Sequence, residues 1–149
     1  MKKIFYSPGE PAGIGPDLII KLATSKTWKN FEVPIIAIGD PKLFHDRSVL
    51  LNKKLKINKI NSLDNSLINE PNCINVIKVI TCKKTEAGKL SKNNAEYVLE
   101  NLKYGIKQAH DLKKVALVTG PLNKETLISI DPKFIGHTEY IQKITNSND

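Results

Sequence analysis

Glycines, prolines and one carboxylate follow the first apolar run of the chain, in the stretch YSPGEPAGIGPDLIIKLA from Tyr6 to Ala23. Glycine-rich turns between a strand and a helix are typical phosphate sites. The spacing here, G-x-x-x-G-x-G, fits neither the dinucleotide fingerprint nor the P-loop, which needs a lysine where Pro16 stands. Proline rings also remove backbone N–H donors from a phosphate cradle. We therefore expect a stiff turn that allows close backbone approach and holds Glu10 near the strand end. A purely structural turn is the alternative.

A second candidate for chemistry is the stretch FIGHTEY, Phe134–Tyr140. Gly136 lets the chain bend, and His137 and Thr138 stand where a helix is expected to begin. The N–H groups at a helix start attract anions. An imidazole and a hydroxyl beside them can bind a phosphate, a carboxylate or a substrate hydroxyl. The alternative is that Thr138 only caps the helix while His137 lies on the surface.

Metal and thiol chemistry have little support in the sequence. His45 and His110 lack cysteine or histidine partners at ligand spacing, so no complete metal site can be assembled from the chain. His110 lies beside the apolar stripe of the longest predicted helix and is expected at the surface or its boundary. Cys73 and Cys82 form no C-x-x-C pair and are expected to be reduced, structural thiols.

The elements that must position these residues alternate along the chain. Apolar runs predict five strands, at Lys3–Tyr6, Val33–Ile38, Leu55–Ile60, Ile74–Ile80 and Val115–Val118. Helical spacing predicts helices at Asp17–Ala23, Leu43–Leu51, Ser91–Leu112 and Lys124–Ile130, and one starting near Thr138. Leu55–Ile60 is expected at a sheet edge, and Val115–Val118 is expected to be buried. Ser91 is the expected N-cap of the long helix, and Asn61–Asn72 is expected to be a polar loop.

Strands that alternate with helices predict an α/β fold, with a mostly parallel sheet flanked by helices. In such sheets, ligands lie beyond the carboxyl ends of the strands. The loop at Gly9, the turn at Gly39 and the turn at Thr119 each follow a predicted strand. We therefore expect these three turns to share one face of the molecule.

Length and composition limit the class of protein. The 149 residues fit one domain, with 40% hydrophobic and 26% charged residues. No apolar run approaches the roughly 20 residues of a membrane span, and Ile4–Ser7 is too short for a signal sequence. We therefore expect no membrane partner and a cytoplasmic location. The net charge of +8 comes from scattered lysines, with Arg47 the only arginine. Without arginines or interleaved aromatic residues, nucleic acid is not an expected partner.

Three motifs taken together resemble the 4-hydroxythreonine-4-phosphate dehydrogenase family of vitamin B6 synthesis. They are PGEPAGIGPD at Pro8–Asp17, VALVTGPLNK at Val115–Lys124 and GHTEY at Gly136–Tyr140. The stretch KTEAGKLS at Lys84–Ser91 is also similar to the family's lead-in to its long helix. The resemblance implies NAD- or NADP-dependent oxidation and decarboxylation of 4-phosphohydroxy-L-threonine, on the way to pyridoxine 5'-phosphate. It also implies a two-domain fold like that of isocitrate and isopropylmalate dehydrogenases, a homodimer, and a divalent metal (Zn, Mg or Co) in the cleft.

By the same resemblance, His137 and Thr138 match the family's substrate-binding pair. The family's metal-binding histidines lie in later motifs that have no counterpart here, so the resemblance implies no metal ligand and no identified catalytic or cofactor-binding residue in this chain. We expect residues 1–149 to form a single partial α/β unit, the N-terminal half of a two-domain enzyme, incomplete or inactive alone. Faces meant for the other half are then expected to be exposed and to promote association.

Three other functions remain open from the sequence. A related dehydrogenase of a phosphorylated sugar acid would share these motifs. A non-catalytic anion-binding fragment would keep His137 and Thr138 without the chemistry. A basic nucleic-acid binder would use the charge of +8.

Overall fold

The centre of the molecule is a five-stranded parallel sheet. A computed structural model describes residues 2–64 and 66–147. The strands are β1 Lys3–Ser7, β2 Ile35–Ile38, β3 Lys56–Lys59, β4 Cys73–Ile77 and β5 Val115–Thr119. Their order is β3-β4-β2-β1-β5, and every pairing between neighbours is parallel. This arrangement confirms the predicted α/β class.

Helices lie on both faces of this sheet. They are α1 Gly15–Ala23, α2 Pro41–Leu50, α3 Ala95–Asp111, α4 Lys124–Ile128 and α5 His137–Thr145. Helix α1 lies beside α2 on one face, and α3 crosses the other face and contacts α4 and α5. In the part of the chain that is described, no helix combines the length and apolar character needed to span a membrane.

The core follows from the alternation of side chains along each strand. Tyr6 of β1 and Ala37 of β2 pack with Ile19 and Ile20 of α1 on the first face. The strand residues next to them in sequence reach the opposite face, where the ring of Phe5 meets the ring of Tyr104 edge-on at 6.1 Å. A third cluster joins α3 to the last two helices, through Val98, Leu102, Leu127, Phe134 and Tyr140. Burial of these apolar groups is the main stabilising contribution.

One expectation about local structure is confirmed in part and another is wrong. Ser91 is an N-cap, as predicted, because its hydroxyl accepts a hydrogen bond from the N–H of Asn93, but it caps the 3₁₀ turn Lys92–Asn94 and α3 begins only at Ala95. Strand β5 is not buried, because it is an edge strand with Ala116 and Val118 exposed on one face. An apolar run in a sequence shows that both faces of a strand can be buried. It does not show that a helix lies on each face.

The remaining predicted elements are present with shifted ends. The strand predicted from Val33 begins at Ile35, after a proline that has no N–H to donate. The strand predicted to reach Ile80 ends at Ile77, and the edge position of β3 is confirmed. The predicted loop at Asn61–Asn72 contains no helix or strand in its described part, and Asn65 lies outside the described residues.

Candidate functional site

The loop after β1 and the turn after β5 are in direct backbone contact. The N–H of Glu10 donates to the carbonyl of Pro121 at 3.1 Å, and the N–H of Gly120 donates to the carbonyl of Ser7 at 2.7 Å. A Cβ atom on Gly9 would clash with the Pro121 carbonyl oxygen. Glycine is therefore required here because two backbones approach closely. We call residues 8–14 the glycine loop.

The turn after β2 is tied to its surroundings by Asp40. Its carboxylate accepts from the N–H of Lys42 at 3.0 Å, which caps α2, and from the N–H of Cys82 at 3.0 Å. Its own N–H donates to the hydroxyl of Tyr97 on α3 at 3.0 Å. One buried carboxylate thus connects the end of β2 with the segment after β4.

Arg47 of α2 connects this turn to the glycine loop. Its guanidinium donates to the carbonyls of Gly13 at 2.9 Å and Pro11 at 2.7 Å, and it pairs with Asp17 at 2.5 Å. A planar guanidinium offers several donors in fixed directions, which a lysine ammonium does not. The sequence reasoning assigned Arg47 no role, although its being the only arginine in a lysine-rich chain was an available signal.

Glu10 lies near the end of β1, as predicted, and the structure shows that it is below the surface. It is 5% exposed, and its Oε1 accepts from the N–H of Ala12 at 3.1 Å. Its Oε2 has no hydrogen-bond partner among the described residues. Desolvation raises the pKa of this carboxyl, and the bond from Ala12 offsets part of that effect. A buried polar atom without a partner carries a free-energy cost.

His137 and Thr138 stand at the start of α5, as predicted. Gly136 is the N-cap in an extended conformation, and no side chain of the described residues caps this helix, so the alternative that Thr138 serves as its cap is wrong. His137 is half-buried and its Nε2 has no hydrogen-bond partner in the described part of the chain. Burial lowers the pKa of this imidazole, which favours its neutral form. Thr138 is exposed.

Helix α5 and the glycine loop are held in place by contacts with different parts of the protein. Helix α5 packs against α3 through Tyr140, whose ring lies 5.5 Å from that of Phe134. The glycine loop is held instead by the turn after β5 and by Arg47. Among hydrogen bonds of residues 2–64 and 66–147, none joins α5 to this loop. A cleft shared by the two motifs stays a prediction.

The described residues do not fit a metal site. Residues 2–64 and 66–147 contain no group of three or more histidine, cysteine or acidic side chains that could hold a metal ion. His45 and His110 are exposed. Both cysteines are free thiols, as expected, and burial together with the charges of Asp40 and Glu10 raises the pKa of Cys82 to about 12. A thiol held protonated in this way is a poor nucleophile and metal ligand.

The parallel sheet, with close-packed turns at the carboxyl ends of its strands, defines an α/β unit of the kind that enzymes use to border a ligand cleft. More specifically, the chain belongs to the PdxA family. The family model described as pyridoxal phosphate biosynthetic protein PdxA matches residues 30–149.

Relatives of known name agree with this assignment. The chain is 34% identical to the 4-hydroxythreonine-4-phosphate dehydrogenase of Methylococcus capsulatus over 146 residues, which are 98% of this chain and 43% of that protein. It is also 34% identical to the enzyme of that name from Saccharophagus degradans, and it covers 42% of that protein. The solved structure of the Klebsiella pneumoniae 4-hydroxythreonine-4-phosphate dehydrogenase aligns with all of this chain and 46% of its own, with a TM-score of 0.87 and 25% identity. The chain thus spans less than half the length of these relatives, which agrees with the expected N-terminal portion.

Proposed function

We propose that this chain is the N-terminal portion of a 4-hydroxythreonine-4-phosphate dehydrogenase. The enzyme oxidises and decarboxylates 4-phosphohydroxy-L-threonine in the synthesis of pyridoxine 5'-phosphate. The observation that carries the proposal is the family match over residues 30–149, together with relatives named for this activity. A nicotinamide cofactor, NAD or NADP, supplies the hydride acceptor when it is bound.

His137 and Thr138 bind the substrate in this proposal. Burial favours the neutral form of the imidazole. Its Nε2 is itself buried and has no hydrogen-bond partner in the described part of the chain, so a substrate oxygen that bonds to it must enter between the residues that cover it. The exposed hydroxyl of Thr138 lies at the positive end of α5, where backbone N–H groups favour a phosphate or carboxylate. The pair therefore binds and orients the substrate without transferring a proton.

The glycine loop contributes shape to the cleft in this proposal. Arg47 holds two carbonyls of the loop, and the turn after β5 supports it from the other side. The loop is therefore rigid before any ligand arrives, which reduces the entropy lost on binding. We propose no catalytic role for its residues.

The divalent metal and the homodimer enter the proposal from the family resemblance alone. The described residues offer no set of donors for the metal, so its ligands would come from outside them. We also propose a cytoplasmic location. Its support is that Cys73 and Cys82 are both free thiols, as is usual in a reducing compartment.

The test uses a fusion in which this chain replaces the aligned segment of the Methylococcus capsulatus relative. Reduction of NAD or NADP on addition of 4-phosphohydroxy-L-threonine is the expected result. His137→Ala in the fusion should raise KM about tenfold or more, because a hydrogen bond to a charged substrate is lost. His110→Ala, which alters an exposed histidine of α3, is the matched control and should leave KM unchanged.

Other results would select another function. Turnover of a phosphorylated sugar acid in place of the hydroxythreonine substrate would indicate the related dehydrogenase. A non-catalytic anion site would be indicated if the fusion folds, shows no turnover and still binds inorganic phosphate. In that case, His137→Ala should abolish the phosphate binding. Unchanged kinetics in His137→Ala would remove the proposed role of this residue.

A further inference from the structure

A groove of about 780 Å³ lies between α2 and the two strands at one edge of the sheet, β3 and β4. Its volume is in the range of small-molecule sites, and it reaches the carboxyl ends of the strands, where ligands bind in parallel sheets. Helix α5, which carries the proposed substrate pair, packs with α3 on the opposite face of the sheet. A ligand in this groove is therefore distinct from the substrate. We call it the α2–β3 groove.

The floor of the α2–β3 groove is apolar at one end and cationic at the other. Leu55, Ile57 and Lys59 lie on one face of β3 because they are two residues apart, and all three line the groove. Leu55 and Ile57 are half-buried against the core, whereas Lys59 is exposed. The neighbouring strand repeats the pattern, with Val76 in the floor and Lys78 exposed beyond it. The groove thus combines an apolar floor with a positively charged mouth.

The acidic groups of the groove already have partners. Asp40 accepts from two backbone N–H groups, and its carboxylate lies 3.5 Å from the ammonium of Lys78. Asp46 forms an ion pair with Lys42. Among residues 2–64 and 66–147, no ion pair involves Lys59. The three lysines of the lining outnumber its two aspartates, and the ammonium of Lys59 is available to a ligand.

We propose that the α2–β3 groove binds a small organic carboxylate with an apolar body, such as an aromatic or branched aliphatic acid. The carboxylate pairs with the ammonium of Lys59, and the apolar body lies on Leu55 and Ile57. A charge-assisted hydrogen bond then fixes one end of the ligand, and burial of apolar surface stabilises the other. The inference does not depend on the proposed function, because it concerns binding at a separate site.

Charge and polarity favour this class of ligand over others. A phosphate ester of a polar alcohol would pair with Lys59, but its hydroxyl groups would lie against Leu55 and Ile57 without hydrogen-bond partners. A neutral apolar molecule would cover the ammonium without supplying an opposite charge. An organic cation would find Asp40 and Asp46 already paired. A carboxylate with an apolar body satisfies both ends of the groove.

The first test titrates the isotope-labelled 149-residue chain with benzoate, acetate or inorganic phosphate at equal ionic strength. We expect benzoate to produce saturable NMR shifts of the amides of Ile57, Lys59 and Lys78. Acetate should bind about tenfold more weakly, because it has little apolar surface to bury. Absence of saturation with benzoate would overturn the proposal. Equal affinity for benzoate and acetate, or tighter binding of phosphate, would also overturn it, since charge alone would then account for binding.

The second test removes the proposed cationic partner. Lys59→Gln should weaken benzoate binding about tenfold, because a charge-assisted hydrogen bond is lost. Lys56→Gln is the matched control, since it removes the same charge from the opposite face of the same strand. Both lysines are exposed, so both variants should keep cooperative unfolding. Unchanged benzoate affinity in Lys59→Gln, or equal weakening in the two variants, would overturn the proposal.

The third test measures benzoate binding by calorimetry in the fusion with the Methylococcus capsulatus relative. We expect the same benzoate affinity as in the 149-residue chain, whether or not the fusion oxidises 4-phosphohydroxy-L-threonine. Loss of benzoate binding in a folded fusion would overturn the proposal, because the rest of the enzyme would then cover the groove. Competition between benzoate and 4-phosphohydroxy-L-threonine would overturn it as well. If the fusion does not fold, the first two tests decide.

Discussion

At the scale of the residue, the ionisation of Glu10 is coupled to folding, because its carboxyl is buried and its Oε2 has no hydrogen-bond partner among the residues that the structure describes. Desolvation raises the pKa of Glu10 above its ordinary value. Below the ordinary value, the carboxyl is protonated in both the folded and unfolded states and adds no pH-dependent cost. As the pH rises through the raised value, the folded state must bury a charge. The free energy of unfolding therefore falls as the pH rises from the ordinary pKa to the raised pKa, and it stays constant at higher pH.

Glu10→Gln should therefore raise the free energy of unfolding around pH 8 and leave it nearly unchanged around pH 4. The glutamine oxygen can still accept from the N–H of Ala12, so the turn is kept. Urea unfolding at the two pH values measures the difference. Glu96→Gln, which makes the same substitution at an exposed position of α3, is the matched control. A difference that is equal at both pH values would contradict the burial argument.

At the scale of the element, the close contact between the glycine loop and the turn after β5 places the strictest requirement on residue type. Gly9 and Gly88 have nearly the same positive φ, +78 and +81, but differ in their surroundings. A Cβ on Gly9 would meet the backbone of Pro121, whereas a Cβ on Gly88 would meet nothing within 4 Å. Alanine substitutions at these two glycines therefore separate the cost of backbone strain from the cost of pushing two backbone segments apart.

Gly88→Ala should cost about 1 kcal/mol, because an L-residue is strained at this φ. Gly9→Ala should cost about 2 kcal/mol more, because the two backbones must also move apart. Free energies of unfolding from urea titrations measure both values. Equal costs would show that the loop and the turn after β5 are not held against each other.

At the scale of the whole molecule, two long-range effects oppose each other. The net charge of +8 makes copies of the chain repel, and the exposed apolar residues Ala116 and Val118 of β5 make them attract. Salt weakens only the repulsion, since it shortens the Debye length from about 30 Å at 0.01 M to about 10 Å at 0.1 M.

The mass of the 149-residue chain seen by light scattering should therefore rise with sodium chloride concentration. In the same buffers, a function in nucleic-acid binding would show the opposite dependence, with DNA affinity falling steeply as salt increases. A chain that stays monomeric at high salt would contradict an exposed apolar surface. Tight DNA binding that weakens steeply with salt would support a nucleic-acid-binding function, which the scattered lysines did not favour.

Some features of this fold and site were predictable because they depend on local patterns. The alternating strands and helices, the edge position of β3 and the start of α5 follow from apolar spacing and from Gly136. The free thiols of Cys73 and Cys82 also follow from sequence spacing. Other features were not predictable because they depend on partners distant in the chain. Arg47 reaches carbonyls more than 30 residues away, and no local pattern shows that reach.

The sequence by itself determined the class of fold and the family, since both follow from motifs and periodicities that are read along the chain. Only the tertiary structure decided that Arg47 holds the glycine loop. It also decided that, within the described residues, Oε2 of Glu10 has no hydrogen-bond partner and β5 pairs with a strand on one side only. The physical reason is that burial and hydrogen bonding depend on which segments meet in space. Strand β5 shows this most clearly: its apolar residues predict a covered strand, and the fold of this chain leaves one face of it bare.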